Sequence, residues 1–321
     1  MPPLLHDLIY MLLFPGLLFL MFFAFAAEYI DRKLHARLQN RMGPPWFQPL
    51  ADFIKLAAKQ DLMPVRADYW MFRLTPIVAL AATLTAFLYI PVWGRHGLMS
   101  FNGDLIVVLY LLTIPTFTFF LGGWYSRSVF SMIGAARALM QLFAYEIPLY
   151  LAVLAPALLA GSWSLADITA FYARNPLYAA FNVVGLGVAL VALLGKLERV
   201  PFDIPEAETE IVAGAFTEYS GRLLAIFRLA ISIEMVVGAT LLAAVFLPFG
   251  LAGSDSFSSG AIGFGLYLVK VIGLVCVMTL MRSLLARLRL DQMINFCWKV
   301  AAPVAFLQVL LNLSVKFFLP A

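Results

Sequence analysis

The chain has 321 residues, 63% of them hydrophobic and 12% charged, with a formal net charge of +4 and a mean hydropathy of +0.92. Soluble globular domains do not reach that apolar fraction, so the composition excludes a water-soluble enzyme and implies several passages through a bilayer. The two cysteines, Cys276 and Cys297, and the three histidines, His6, His35 and His96, are scattered, which excludes a zinc, haem or iron–sulfur centre built by this chain alone.

Apolar windows of about 20 residues, enough to cross ~30 Å of hydrocarbon as helices, fall at 8–27, 72–92, 104–123, 138–160, 177–197, 222–249, 261–281 and 296–318. Eight such windows predict an all-α polytopic membrane protein, with one integral membrane domain over residues 1–321. The first window has no Lys or Arg before it and runs into Glu28 without a small-residue cleavage site. It therefore reads as a retained helix and not a secretory signal.

Between the first two windows, Pro44 and Pro45 break the chain. Residues 46–59 then place Phe47, Leu50, Phe53, Ile54 and Ala57 on one helical face, with Asp52, Lys55 and Lys59 elsewhere. This predicts an amphipathic cytoplasmic helix on the membrane surface or against another subunit. Within later windows lie Glu146, Arg228, Glu234, Lys270, Lys299 and Lys316. Ionisable groups at such depth line polar paths or pair with one another. Lys299 and Lys316, near helix ends, are expected to snorkel to the interface, whereas Glu146 and Glu234 are candidates for proton handling.

The connection at 196–221 is a structured acidic loop. Across the 27 positions GKLERVPFDIPEAETEIVAGAFTEYSG it gathers six of the chain's eighteen acidic residues, Glu198, Asp203, Glu206, Glu208, Glu210 and Glu218. Six carboxylates cannot face lipid; they must sit in water, in protein or in a polar cavity. Asp203 and Glu206 flanking Pro205 read as a helix start, which would place Glu206 and Glu210 on one face and Glu208 on another. The connections after odd-numbered windows carry fifteen Lys and Arg, the alternate ones only Arg95 and Arg174. That asymmetry predicts cytoplasmic odd connections and both termini outside. The positive net charge needs no nucleic-acid partner.

Four segments carry a resemblance in register. EYIDRKLHARLQNRMGPP with QPLADFIKLAAK, GAARALMQLFAYEIPL, KLERVPFDIPEAETEIVAGAFTEYSG, and RSLLARLRLDQM with Trp298 resemble the H-subunit family of respiratory complex I, called subunit 1 in mitochondria. The family is shared with membrane-bound group 4 nickel-iron hydrogenases and related ferredoxin-driven complexes. The resemblance implies a membrane subunit, not catalytic alone, of a redox-driven ion-translocating complex in a prokaryotic cell membrane. It implies partners of three kinds: cytoplasmic hydrophilic iron–sulfur subunits, hydrogenase-like or quinone-site subunits beside them, and antiporter-like and small subunits within the bilayer. Iron–sulfur clusters, and in the hydrogenase branch a nickel-iron centre, would lie in those partners.

By the same resemblance, Glu198 and Arg199 with Asp203, Glu206, Glu208, Glu210 and Glu218 would form a charged funnel that couples redox events to ion movement. Glu146 would be the first buried carboxyl beyond it, and Glu234 a further one. Glu28, Arg32, Arg41, Gln48, Asp52, Lys55, Arg287 and Asp291 would line or brace the mouth toward the redox arm or a quinone chamber. Arg37, Arg137, Arg282 and Arg289 read as contacts to lipid head groups or docked subunits.

Two departures shape the expectation. The link Gly43-Pro44-Pro45-Trp46-Phe47 runs directly into Gln48, a short form similar to the hydrogenase-related, ferredoxin-linked branch that argues against quinone binding. The expectation therefore leans to that branch, with a donor:quinone oxidoreductase as the alternative. In the sixth window the chain reads FRLAISIE, so Glu234 lies three residues beyond the usual family carboxylate, with Arg228 as a candidate partner. An autonomous secondary transporter, its helices broken at Pro115, Pro148 and Pro156, is a remote alternative because no paired halves are visible. A plain membrane anchor leaves the carboxylates unexplained.

Overall fold

The computed structural model describes residues 11–92, 97–206, 208–249 and 257–318, without the side chains of 208, 209 and 257–259. His6, Arg95, His96 and the Glu208 side chain thus lie outside the described set. The described residues form helices α1 (Leu17–Leu38), α2 (Gln48–Ala57), α3 (Tyr69–Tyr89), α4 (Asp104–Tyr125), α5 (Val129–Ala160), α6 (Leu165–Arg174), α7 (Pro176–Ala180), α8 (Val183–Lys196), α9 (Glu208–Ile211), α10 (Gly221–Phe246), α11 (Phe257–Leu284), α12 (Leu290–Phe296) and α13 (Ala302–Phe318). A π-helical turn, Cys297–Ala301, joins the last two. Six helical stretches among these residues are long and apolar enough to span a bilayer: α3, α4, α5, α10, most of α11, and α12 to α13 taken together.

Helix α10 is the hub. Its apolar window is 94% buried, and it packs on α1, α2, α3 and α11, as expected for a helix apolar on every side. Helix α5 organises the other half against α4, α8 and α13. At 32 residues it is roughly 48 Å long at 1.5 Å per residue, so it projects beyond the hydrocarbon by starting at Val129 and not at the expected 138.

Other details also depart from the expectation. The helices continue through Pro115, Pro148 and Pro156; hydroxyls bond beside two of them, Thr118 Oγ1 donating to the Pro115 carbonyl at 2.6 Å and Tyr172 Oη to that of Pro156 at 2.9 Å. The fifth window is instead divided into α7 and α8 by a break at Phe181 and Asn182. Gln308 Nε2 supports this break by donating to the Phe181 carbonyl at 2.7 Å. Helix α6 was not expected; it buries Leu165, Ile168 and Tyr172 on one face.

Two lysines hold helix ends. Lys316 donates to the Leu158 carbonyl at 2.9 Å, near the end of α5, and Lys270 donates to the Leu247 carbonyl at 2.6 Å and to that of Phe249, just past α10. Cations suit these carbonyl-rich termini. Lys316 therefore caps a helix where snorkelling was expected, while Lys299 is exposed.

Candidate functional site

The acidic loop is a folded strap. At Gly214 the backbone has φ +53°, and a Cβ there would lie 1.8 Å from the Pro205 carbonyl oxygen. The chain can double back on residue 205 only with glycine at this position. Behind the bend, Phe216 and Tyr219 enter an aromatic cluster with Phe72, Phe119 and Phe227. Tyr219 stacks on Phe72 at 4.0 Å between ring centroids and donates to the Phe72 carbonyl at 3.1 Å.

This bend cuts the expected loop helix down to the four residues of α9, and Glu206 and Glu210 do not share a face. Glu206 pairs with Arg228 at 2.8 Å, whereas Glu210 pairs with Arg137 at 2.6 Å and lies 3.8 Å from Arg287. The hydrogen bond and charge of Arg137 hold the Glu210 carboxyl below its ordinary range.

Between the strap and helices α1, α2, α4, α8, α10 and α11 lies a cavity of about 640 Å³. At its exposed end, Arg32 bridges Glu28 and Asp52, the latter at 2.8 Å. Gln48 Nε2 donates to Asp52 at 2.8 Å and Ser232 Oγ to Glu28 at 2.9 Å, so both carboxylates are braced. Deeper in, Asp31 is 2% exposed. It accepts from Arg199, from Arg282 at 2.9 Å and from Thr279 at 2.7 Å.

At the buried end, Lys196 Nζ lies 3.1 Å from Glu234 Oε1, with side chains 2% and 0% exposed. Between the two ends sits Glu198, in the left-handed region at φ +51°, 9% exposed, its Oε1 without a hydrogen-bond partner among the described residues. Burial, and then the charges of Glu206, Glu234 and Asp203, push its carboxyl well above the ordinary range, against the pull of Arg228. A non-glycine residue in this backbone conformation, carrying an unpaired buried acid, marks a place where stability has been given up.

Of the residues expected at the site, Glu28, Arg32, Asp52, Lys55, Glu198, Arg199, Asp203, Glu206 and Glu234 line the cavity. Gln48 braces it from outside. Glu146, Glu210, Glu218, Arg41, Arg287 and Asp291 are not in its wall. Glu146 is half-buried and accepts from Tyr150 Oη at 2.8 Å; its neighbour Tyr145 takes the core-facing position on α5, and consecutive helical side chains diverge by about 100°.

Three readings need correction. Arg282 does not face lipid head groups but reaches Asp31; Arg137 meets Glu210. Arg228 pairs with Glu206, leaving Lys196 as the partner of Glu234. The face expected on α2 divides, with Leu50 and Phe53 packed on the core and Phe47 and Ile54 exposed. Sequence reasoning missed Asp31, Lys196, Ser232 and Thr279. The first two could have been found as charges within the segments EYIDRK and KLERVPFD. Among the described residues no group of three or more His, Cys, Asp or Glu is arranged to hold a metal ion.

The profile of the family described as NADH dehydrogenase matches residues 10–313, and the H subunit of NADH-quinone oxidoreductase from Carboxydothermus hydrogenoformans is 34% identical over 97% of this chain and 90% of its own length. The chain belongs to the H-subunit family. The H subunit of the same oxidoreductase from Syntrophotalea carbinolica is 33% identical over 88% of each chain. One from Geobacter sulfurreducens, the second such subunit by its name, is 35% identical over 90% of this chain and 91% of its own. Among solved structures, the membrane-bound sulfane sulfur reductase, described as an archaeal respiratory membrane complex, contains a chain that superposes with a TM-score of 0.80 at 26% identity, covering 92% of this chain and 96% of that one. As a member of the H-subunit family, the protein is a multi-pass, non-catalytic membrane subunit of a redox complex in the complex I and membrane-bound hydrogenase superfamily.

Proposed function

We propose that this chain couples electron transfer in a hydrophilic arm to ion movement in a membrane arm, within a donor:quinone oxidoreductase of the complex I type. The observation that carries the reading is the continuous cavity of about 640 Å³ that runs from the Arg32–Asp52 and Arg228–Glu206 pairs to the enclosed Lys196–Glu234 pair, past the unpartnered Glu198 oxygen. Phe25, Phe53, Phe119 and Leu229 in its wall suit the flat apolar ring of a quinone. The quinone-oxidoreductase names of three relatives support this branch over the hydrogenase-related one toward which the short link before Gln48 leans. That link and the likeness to the sulfane sulfur reductase keep the ferredoxin-linked branch as the second reading.

In this arrangement α1, and α7 with α8, complete eight spans. Both termini lie outside, and the cavity opens to the cytoplasm, where the hydrophilic iron–sulfur and quinone-site subunits dock. Antiporter-like subunits contact the membrane face. A charge gained or lost in the cavity is felt strongly in its low-dielectric surround, and Glu198, whose carboxyl already feels the charges of Glu206, Glu234 and Asp203, answers by a change of protonation. Each ion then moved against the membrane potential requires about 2.3 kcal/mol per charge per 100 mV.

In inverted membrane vesicles containing the assembled complex, Glu198→Gln and Glu206→Gln are expected to lower ions translocated per electron several-fold. Equal loss of electron transfer and translocation, with normal assembly, would count against coupling. Metal analysis of the complex from native membranes separates the branches. Abundant iron without nickel, together with reduction of added quinone, is expected; nickel near one per complex would establish the hydrogenase-related reading.

A further inference from the structure

The pair at the buried end of the cavity has a geometry that Glu234 alone would not have. Lys196 is the last residue of α8, and the cation sits at the carbonyl end of that helix, where the dipole favours it. The helix end is seated closely against α5. A Cβ on Gly195 would lie 3.2 Å from Tyr145 Cβ, and Gln141 Nε2 donates to the Gly195 carbonyl at 2.6 Å.

From this seat the ammonium reaches three other helices. It is 3.1 Å from Glu234 Oε1 on α10, donates to the Leu112 carbonyl of α4, and lies 5.7 Å from the centroid of the Tyr145 ring of α5. That tyrosine is itself hydrogen-bonded to Thr116 of α4 at 2.9 Å. Neither Glu234 oxygen is hydrogen-bonded by a hydroxyl or amide among the described residues. Among those residues Lys196 is thus the group that compensates the carboxylate.

Resting on the coupling reading above, we propose that Lys196 is a positioning residue for Glu234: the two act as one charge-paired unit, and charge arriving in the cavity reaches the membrane-embedded polar groups through that unit. Both side chains line the cavity together with Glu198, whose carboxyl feels the Glu234 charge. A charge entering near Glu198 therefore acts on the pair directly. The pair can respond without net charge change in the dry interior, by moving one proton from Lys196 Nζ to Glu234 Oε1, which leaves a neutral amine and a neutral acid.

The test uses the assembled complex in inverted vesicles, with Lys196→Met, Lys196→Arg, Glu234→Gln and the double variant Lys196→Met/Glu234→Gln. Lys196→Met is expected to lower ions translocated per electron several-fold. It should also add a protonated-carboxyl C=O stretch to the infrared spectrum, the sign that Lys196 sets the charge state of Glu234. Lys196→Arg should retain most of the coupling. The double variant should lose the band and couple no worse than the poorer single variant, because paired residues act as a unit.

Wild-type coupling in Lys196→Met, or a double-variant loss equal to the product of the single losses, would overturn the inference. If Lys196→Met does not assemble, the double variant decides, since it leaves no unpaired buried charge; wild-type coupling there would overturn the inference and loss would support it. Normal coupling in Lys196→Met beside impaired Glu198→Gln removes this inference alone. Normal coupling in all the variants, Glu206→Gln included, removes the coupling reading itself.

Discussion

The two ends of α8 carry buried polar groups of opposite character. At its N-terminal end, Asn182 Oδ1 accepts from Asn312 Nδ2 at 2.7 Å and from Gln308 Nε2 at 3.3 Å, while Asn182 Nδ2 donates to Tyr172 Oη at 2.9 Å. All four residues are neutral amides or hydroxyls, none more than 3% exposed, and no fully enclosed side-chain oxygen or nitrogen of theirs lacks a partner among the described residues. At the other end, 14 residues on, Lys196 and Glu234 are charged, Glu198 keeps an unpartnered oxygen, and a cavity adjoins all three. A satisfied neutral network fixes packing. A charged set beside open space can change its state, and the molecule keeps the two functions at separate depths.

The largest expected effect comes from unpairing charge. Asp31→Ala leaves Arg199 and Arg282 facing each other without their carboxylate, and removing one partner from such a buried set costs about 3–5 kcal/mol. The expected outcome is a sharp loss of assembled complex and a lowered thermal midpoint. Asn182→Leu should cost less, about 1–3 kcal/mol for the amides and hydroxyl it orphans, and leave ions translocated per electron unchanged. A fall in that ratio would break the contrast between the two ends.

A pH series on Glu198 sharpens the charged side. Burial raises its folded-state pKa above the ordinary 4.5, so the folded protein holds this proton more tightly than the unfolded chain does. The corresponding stability is fully present below the ordinary value and is lost as pH rises through the raised one. Glu198→Gln should therefore flatten the decline of thermal midpoint with rising pH and be most stabilising in alkaline buffer. A variant profile parallel to wild type would place the proton elsewhere. The smallest effect is expected for Arg137→Ala at the surface pair with Glu210, a slight shift in midpoint that disappears at high salt.

Much of this was legible in the sequence because the bilayer constrains it so strongly. Most long apolar runs became helices, and a loop with six carboxylates had to line something polar. Pairings were another matter. Arg199 and Arg282 meet Asp31 across 168 and 251 residues of chain, and helical periodicity says nothing about neighbours so distant. Lys196 read as the edge of a cytoplasmic loop because it ends an apolar run; only the packing of α8 against α5 and α10 makes it a buried group. The break before α8 was hidden for a related reason. Asn182 stands alone in an apolar run, and its partners Gln308 and Asn312 lie one helical turn apart in the last span, where they look like isolated polar substitutions. The length of the loop helix was misjudged because the proline-and-acid start signal was visible but the close approach of Gly214 to Pro205 was not.

The bonding of Asp31 also bears on how freely the strap can move. Oδ2 serves both Arg199, on the strap, and Arg282, on α11, while Oδ1 takes the Thr279 hydroxyl. When the strap lets go, Arg282 and Thr279 still neutralise and solvate the carboxylate. The joint at Asp31 has redundancy built in: Arg199 can leave it without stranding a bare anion in the protein interior.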